Sequence, residues 1–208
     1  MFENRKEKAK QKRKEKKLQE IAQEKVNYTN QKYQAEAEAR RKKREVDDLN
    51  HKIIENQKRY LTCSEMELPQ VTKDTLRYKR EMKLRQFIIE HYNNLTEMAD
   101  KNIVLTELKE FEARHGVNEQ TQKQMDEQNS QINDLINRDR QTMDHINDVQ
   151  RQLSDGIYGT DESDMELEAA KKMRSSGLNP LGNTDTSTNN STGSATNDKT
   201  NKTGENLY

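Results

Sequence analysis

The nitrogen and sulfur ligands on which structural zinc sites depend are few and scattered in this chain: four His and a single Cys, Cys63, among 208 residues. A metal site needs such ligands in closely spaced pairs, and these fall at no such spacing, so no metal is expected. The sequence holds no Gly-rich phosphate loop and no nucleophile-bearing turn. Carboxylates are abundant, but on thin helices they stay hydrated and ionised, which suits them poorly to general acid-base work. No catalytic residue, no cofactor and no enzymatic activity are therefore expected. His91, on an apolar helix stripe, is expected to be a hydrogen-bonded helix residue rather than a ligand.

The chemistry that remains is that of charge. Residues 3–17, ENRKEKAKQKRKEKK, hold nine Lys/Arg against three Glu, among them Lys6, Lys8, Lys10, Lys12, Arg13, Lys14, Lys16 and Lys17. Like charges stack one turn apart, as at Lys6/Lys10 and Arg13/Lys17, and each such pair costs roughly 0.2–0.5 kcal/mol, so this lead-in is expected to fray unless an anion neutralises it. It is a candidate contact for an anionic surface or nucleic acid. No aromatic residue is interleaved with the charges, so bases have no platform to stack on and contact would be with phosphates alone. Across the chain 37 Lys/Arg balance 37 Asp/Glu, yet residues 1–45 hold sixteen against eight, net +8, and residues 110–170 hold five against fifteen, net −10.

The elements that carry these charges follow from composition. Only 29% of residues are hydrophobic, 36% are charged and there is no Trp, which rules out a thick core; two Pro and seven Gly favour helices over most of the length. The expected fold is all-α: an extended coiled coil with a long N-terminal helix, a helical hairpin and a disordered C-terminal tail. Its divisions are a basic lead-in over 1–17, a long coiled-coil helix over 18–68, a hairpin over 69–154, a linker with a short helix over 155–177 and the tail over 178–208.

The long helix is organised by one seam: Leu18, Ile21, Lys25, Tyr28, Lys32, Ala35, Ala39, Lys42, Val46, Leu49, Ile53, Asn56, Tyr60 and Cys63, spaced alternately by three and four. Its dense end lies from Val46 onward. Leu68-Pro69 is expected to stop this helix, because proline disfavours helical geometry in the residue before it. A second helix is expected from Thr72, with a stripe of Leu84, Phe87, Ile88, Leu95, Met98, Leu105 and Leu108 wide enough to meet two neighbours. Arg114-His115-Gly116-Val117 reads as a helix end and Asn118 as the cap of a third helix, so the short connection favours an antiparallel pair. The third helix reads as Met125, Asn129, Ile132, Ile136, Asp139, Met143, Ile146, Gln150 and Leu153, with Asn129, Asp139 and Gln150 able to specify polar layers. The Ser163-to-Glu166 capping-box spacing marks a short helix, expected to be only nascent, the alternative being docking through Met165, Leu167 and Met173.

A hairpin of this size is expected to cover only the dense end of the long helix, leaving Leu18, Ile21 and Tyr28 bare for a partner chain. Opposed copies of Lys25, Lys32 and Lys42 would repel, so an acidic coiled-coil partner is expected over a homodimer. The candidate partner seam is Leu18, Ile21, Tyr28, Val46, Leu49, Ile53 and Tyr60, then Leu84, Ile88, Leu95 and Met98, then Ile132, Ile136, Met143, Ile146 and Leu153. With one Cys, and no apolar run after the charged opening residues or long enough to span a bilayer, the expected place is the cytoplasm and its cytoskeleton, with the nucleus as alternative. The expected function is a structural or scaffolding subunit of a cytoskeletal, ciliary or tethering assembly. The alternative is an accessory protein that holds nucleic acid or a ribonucleoprotein through the basic helix.

Overall fold

The computed structural model describes residues 2–156 and 161–176, with side chains from residue 7 onward. The tail over 178–208 and the side chain of Lys6 lie outside these. The described residues form helices only: α1 (Phe2–Thr62), α2 (Leu68–His115), α3 (Glu119–Ser154) and α4 (Asp161–Ser176). At ~1.5 Å per residue α1 is about 90 Å long. It is helical from Phe2, contrary to the expected fraying of the basic lead-in. Lys, Arg, Glu and Gln are good helix formers, and a helix already nucleated by its packed part extends into them residue by residue.

α1 ends earlier than Pro69 suggests. Ser64 and Glu67 form a capping box ahead of α2: the Glu67 carboxylate accepts from the Ser64 backbone N–H (2.9 Å) and hydroxyl (2.8 Å), and the Glu67 N–H reaches back to Ser64 Oγ at 3.3 Å. Pro69 then sits in the first turn of α2, where its missing N–H costs nothing, so α2 starts at Leu68 rather than Thr72. At the other end Gly116 takes φ 93°, and the Asn118 side chain accepts from Thr121 N–H at 2.7 Å to start α3.

α2 runs back antiparallel along α1. Ion pairs mark the register: Arg85–Glu45 at 2.7 Å, Lys32–Asp100 at 2.8 Å and Lys25–Glu107 at 2.7 Å, with Lys14 Nζ donating to the Arg114 carbonyl at 3.1 Å. α3 lies antiparallel on another side of α2, and among the described residues α1 and α3 make no close approach. The three helices form a layer with α2 in the middle, which is why its apolar stripe is broad. α4 is docked, not free in a linker: Leu167, Ala170 and Met173 join Tyr60, Cys63, Leu68 and Val71 in a small core at the α1–α2 turn. Arg174 donates to the carbonyls of Tyr60 (2.9 Å) and Cys63 (2.6 Å), while Met165 stays 70% exposed.

Candidate interaction surfaces

Every seam position from Leu18 to Cys63, just past the end of α1, is at least partly covered; Ile21, Ala35, Leu49, Ile53, Asn56 and Tyr60 are buried. The covering surface is the chain's own α2, joined at Tyr60 by α4. This corrects the expectation that Leu18, Ile21 and Tyr28 stand bare: α2 is 48 residues long and folds back almost to Lys14, so no partner is needed to cover them. The seam lysines also find their acids within the chain. Glu107 and Asp100 accept from Lys25 and Lys32, and those hydrogen bonds are the main cause that raises both ammonium pKa values. Lys42 turns along its own helix to Glu45, whose carboxyl is held below the usual range first by Lys42 and then by Arg85. A lysine at a seam position extends its stem over apolar neighbours and its charge to the edge.

The α2–α3 seam is built differently. Leu84, Ile146 and Val149 form an apolar cluster with Phe87, Ile88 and Leu153 against it. Next along lies a polar layer: His91 Nδ1 and Asp139 Oδ1 are 2.7 Å apart, and Asn94 Nδ2 donates to Asp139 Oδ1 (3.5 Å) and Thr142 Oγ1 (3.4 Å). His91 is thus a hydrogen-bonded seam residue, and the described residues hold no cluster able to bind a metal. Met125, Ile132, Asp139, Ile146 and Leu153 face the seam as read, but the alternate row is one residue off. Gln128, Leu135, Thr142 and Val149 turn inward; Asn129, Ile136, Met143 and Gln150 are exposed, Ile136 by 43% and Met143 by 38%.

The displaced residues make a surface of their own. The pairings of His91 with Asp139, Asn94 with Thr142 and Glu97 with Arg138 set a register that places Met143 beside Ile88 and Ile136 beside Leu95, on the flank away from Glu97–Arg138. On that flank a groove of about 510 Å³ opens between α1 and α2, lined by Gln31, Gln34, Ala35 and Glu38 from α1 and Tyr92, Leu95, Met98, Ala99 and Asn102 from α2. Ala35 and Ala99, both buried, let the helices approach closely there. The resulting trough between α1 and α3 is floored by Leu95 and Met98, with the amides Gln31, Gln34 and Asn102 and the carboxylate Glu38, paired to Arg41, along it.

Of the basic residues, Lys8, Lys10, Lys12, Arg13, Lys14, Lys16 and Lys17 are all exposed. Among the described residues no helix is long and apolar enough to cross a membrane. Compared with protein-family models, curated proteins and solved structures, the chain matches none.

Proposed function

We propose that this chain is a non-enzymatic coiled-coil scaffold: a rigid layer of three helices that docks an amphipathic helix of another coiled-coil protein in the trough between α1 and α3. The observation that carries the reading is the apolar flank of Ile88, Leu95, Met98, Ile136 and Met143, which the chain's own helices leave partly open. A helix laid in that trough would meet α1, α2 and α3 at once and complete a four-helix bundle. The chain's own pairing already covers the seam of α1, so the docking residues are this flank rather than Leu18, Ile21 or Tyr28. The lining is apolar and amide apart from Glu38, which Arg41 already pairs, and this favours a partner recognised by apolar anchors at i, i+3, i+4 and i+7 rather than by charge. Such a role suits cytoskeletal, ciliary or tethering assemblies alike.

The test uses the native assembly. In extract of the cells that make it, the wild-type chain should migrate with a mass well above its own 24.5 kDa. A variant carrying Ile136→Lys and Met143→Lys should migrate as the free chain while keeping its helical circular dichroism. A wild-type chain that migrates alone, or a variant that stays in the complex, contradicts the reading.

A further inference from the structure

The basic end of α1 is a helix without a companion. α2 ends at His115, and Lys14 donates to the Arg114 carbonyl in its last turn, so residues 2–13 project past the end of α2. The seam runs out at the same place: continued back from Leu18 at spacings of four and three, its positions are Lys14, Gln11, Glu7 and Asn4, none of them apolar. Residues 7–17 are exposed without exception. The projecting part is ~18 Å long, about half a helical repeat of duplex nucleic acid.

The placement of charge selects the partner. At the helical angle per residue, Lys8, Lys10, Lys12, Arg13, Lys14, Lys16 and Lys17 spread around about two thirds of the circumference, and the remaining arc holds Glu7, Gln11 and Glu15. A bilayer is flat and meets one side of a helix. Binding in its interface calls for an apolar face opposite the basic one, and Ala9 is the only apolar residue over 7–17. A nucleic-acid groove instead presents phosphates on both walls, and a major groove about 12 Å wide accepts a helix about 10–12 Å across. We propose that the projecting basic helix of α1 seats in the major groove of duplex DNA and holds it through phosphates, without selecting a sequence. No aromatic residue offers a base a stacking platform, and six of the seven cations over 8–17 are lysines, point charges that hold phosphates whatever the sequence.

The experiment measures binding of the full chain by fluorescence anisotropy to two labelled 20-base-pair DNA duplexes of unrelated sequence. Parallel arms use vesicles of one part phosphatidylserine to three parts phosphatidylcholine and a poly-glutamate peptide at matched charge. The comparison protein carries Lys8, Lys10, Lys12, Arg13, Lys16 and Lys17 each replaced by Gln. Lys14 is kept because it caps α2, and unchanged circular dichroism and melting show that the fold is intact. Expected are equal affinities for the two sequences, a log–log salt slope of about −5 if roughly six phosphates are neutralised, and a loss of at least tenfold in the Gln variant. Tighter binding to vesicles or poly-glutamate than to duplex, no duplex binding at 50 mM salt, or an undiminished Gln variant would overturn the proposal.

Discussion

The two long seams on α2 handle polar residues in opposite ways. Toward α1, over Lys25 to Lys42, the intruders are lysines, whose stems lie over the seam while their charges leave it for Asp100, Glu107 and Glu45; only farther on does the short Asn56 enter it. Toward α3 they are the short side chains Asn94, Asp139 and Thr142 with His91, which cannot leave and bond to one another across the interface. A long polar residue leaves a seam tolerant of register, since its head finds whatever acid is near. A short one ties the register to a particular partner, because a one-step slip strands its hydrogen-bonding groups.

The largest effect expected from this contrast lies at the α3 row that the structure turns inward. Leu135 is 3% exposed and Ile136 43%, so Leu135→Ala should cost about 2–5 kcal/mol in urea unfolding and Ile136→Ala under about 1 kcal/mol. Equal costs, or the reverse order, would return α3 to the register in which Ile136 and Met143 face inward. The polar layer comes next. Asp139→Ala leaves His91 and Asn94 short of an acceptor and should cost about 1–3 kcal/mol, whereas replacing His91, Asn94 and Asp139 together by Leu should recover most of that loss. A triple variant less stable than Asp139→Ala would mean that the layer stabilises outright instead of fixing register.

The smallest effect is a pH dependence at the α1–α2 turn. Tyr60 is fully buried with its hydroxyl donating to Glu166 at 3.1 Å, and burial is the main cause pushing its pKa above the usual tyrosine value. The fold therefore holds the neutral phenol while the unfolded chain ionises near pH 10. The corresponding stability is complete below about pH 10 and is lost as the pH rises beyond it. Melting curves of the wild type should fall more steeply above pH 10 than those of Tyr60→Phe; parallel curves would remove Tyr60 as the cause.

The same contrast explains what could be read in advance. The α1 seam was legible because its spacing offers one continuous row from Leu18 to Cys63, whatever stands opposite. In α3 two rows interleave equally well with Met125, Ile132, Asp139, Ile146 and Leu153. The choice of Leu135 and Thr142 over Ile136 and Met143 is made by Asn94 and His91, some 45 residues away in sequence. Ser64 and Glu67, by contrast, carried a readable capping-box signal that Pro69 overshadowed, although both residues stand in plain sequence. The docking of α4 was hidden because its apolar contacts are three, Leu167, Ala170 and Met173, and their partners come from the turn between two other helices.

α1 is sheathed by α2 of the same chain nearly to Lys14. Zero-length carbodiimide coupling tests this on an equal mixture of unlabelled and nitrogen-15-labelled protein at low micromolar concentration, because Lys25–Glu107 and Lys32–Asp100 are both within 2.8 Å. Both cross-links should form, each joining peptides of one isotopic composition. Mixed-isotope cross-links, or neither link in folded protein, would contradict it.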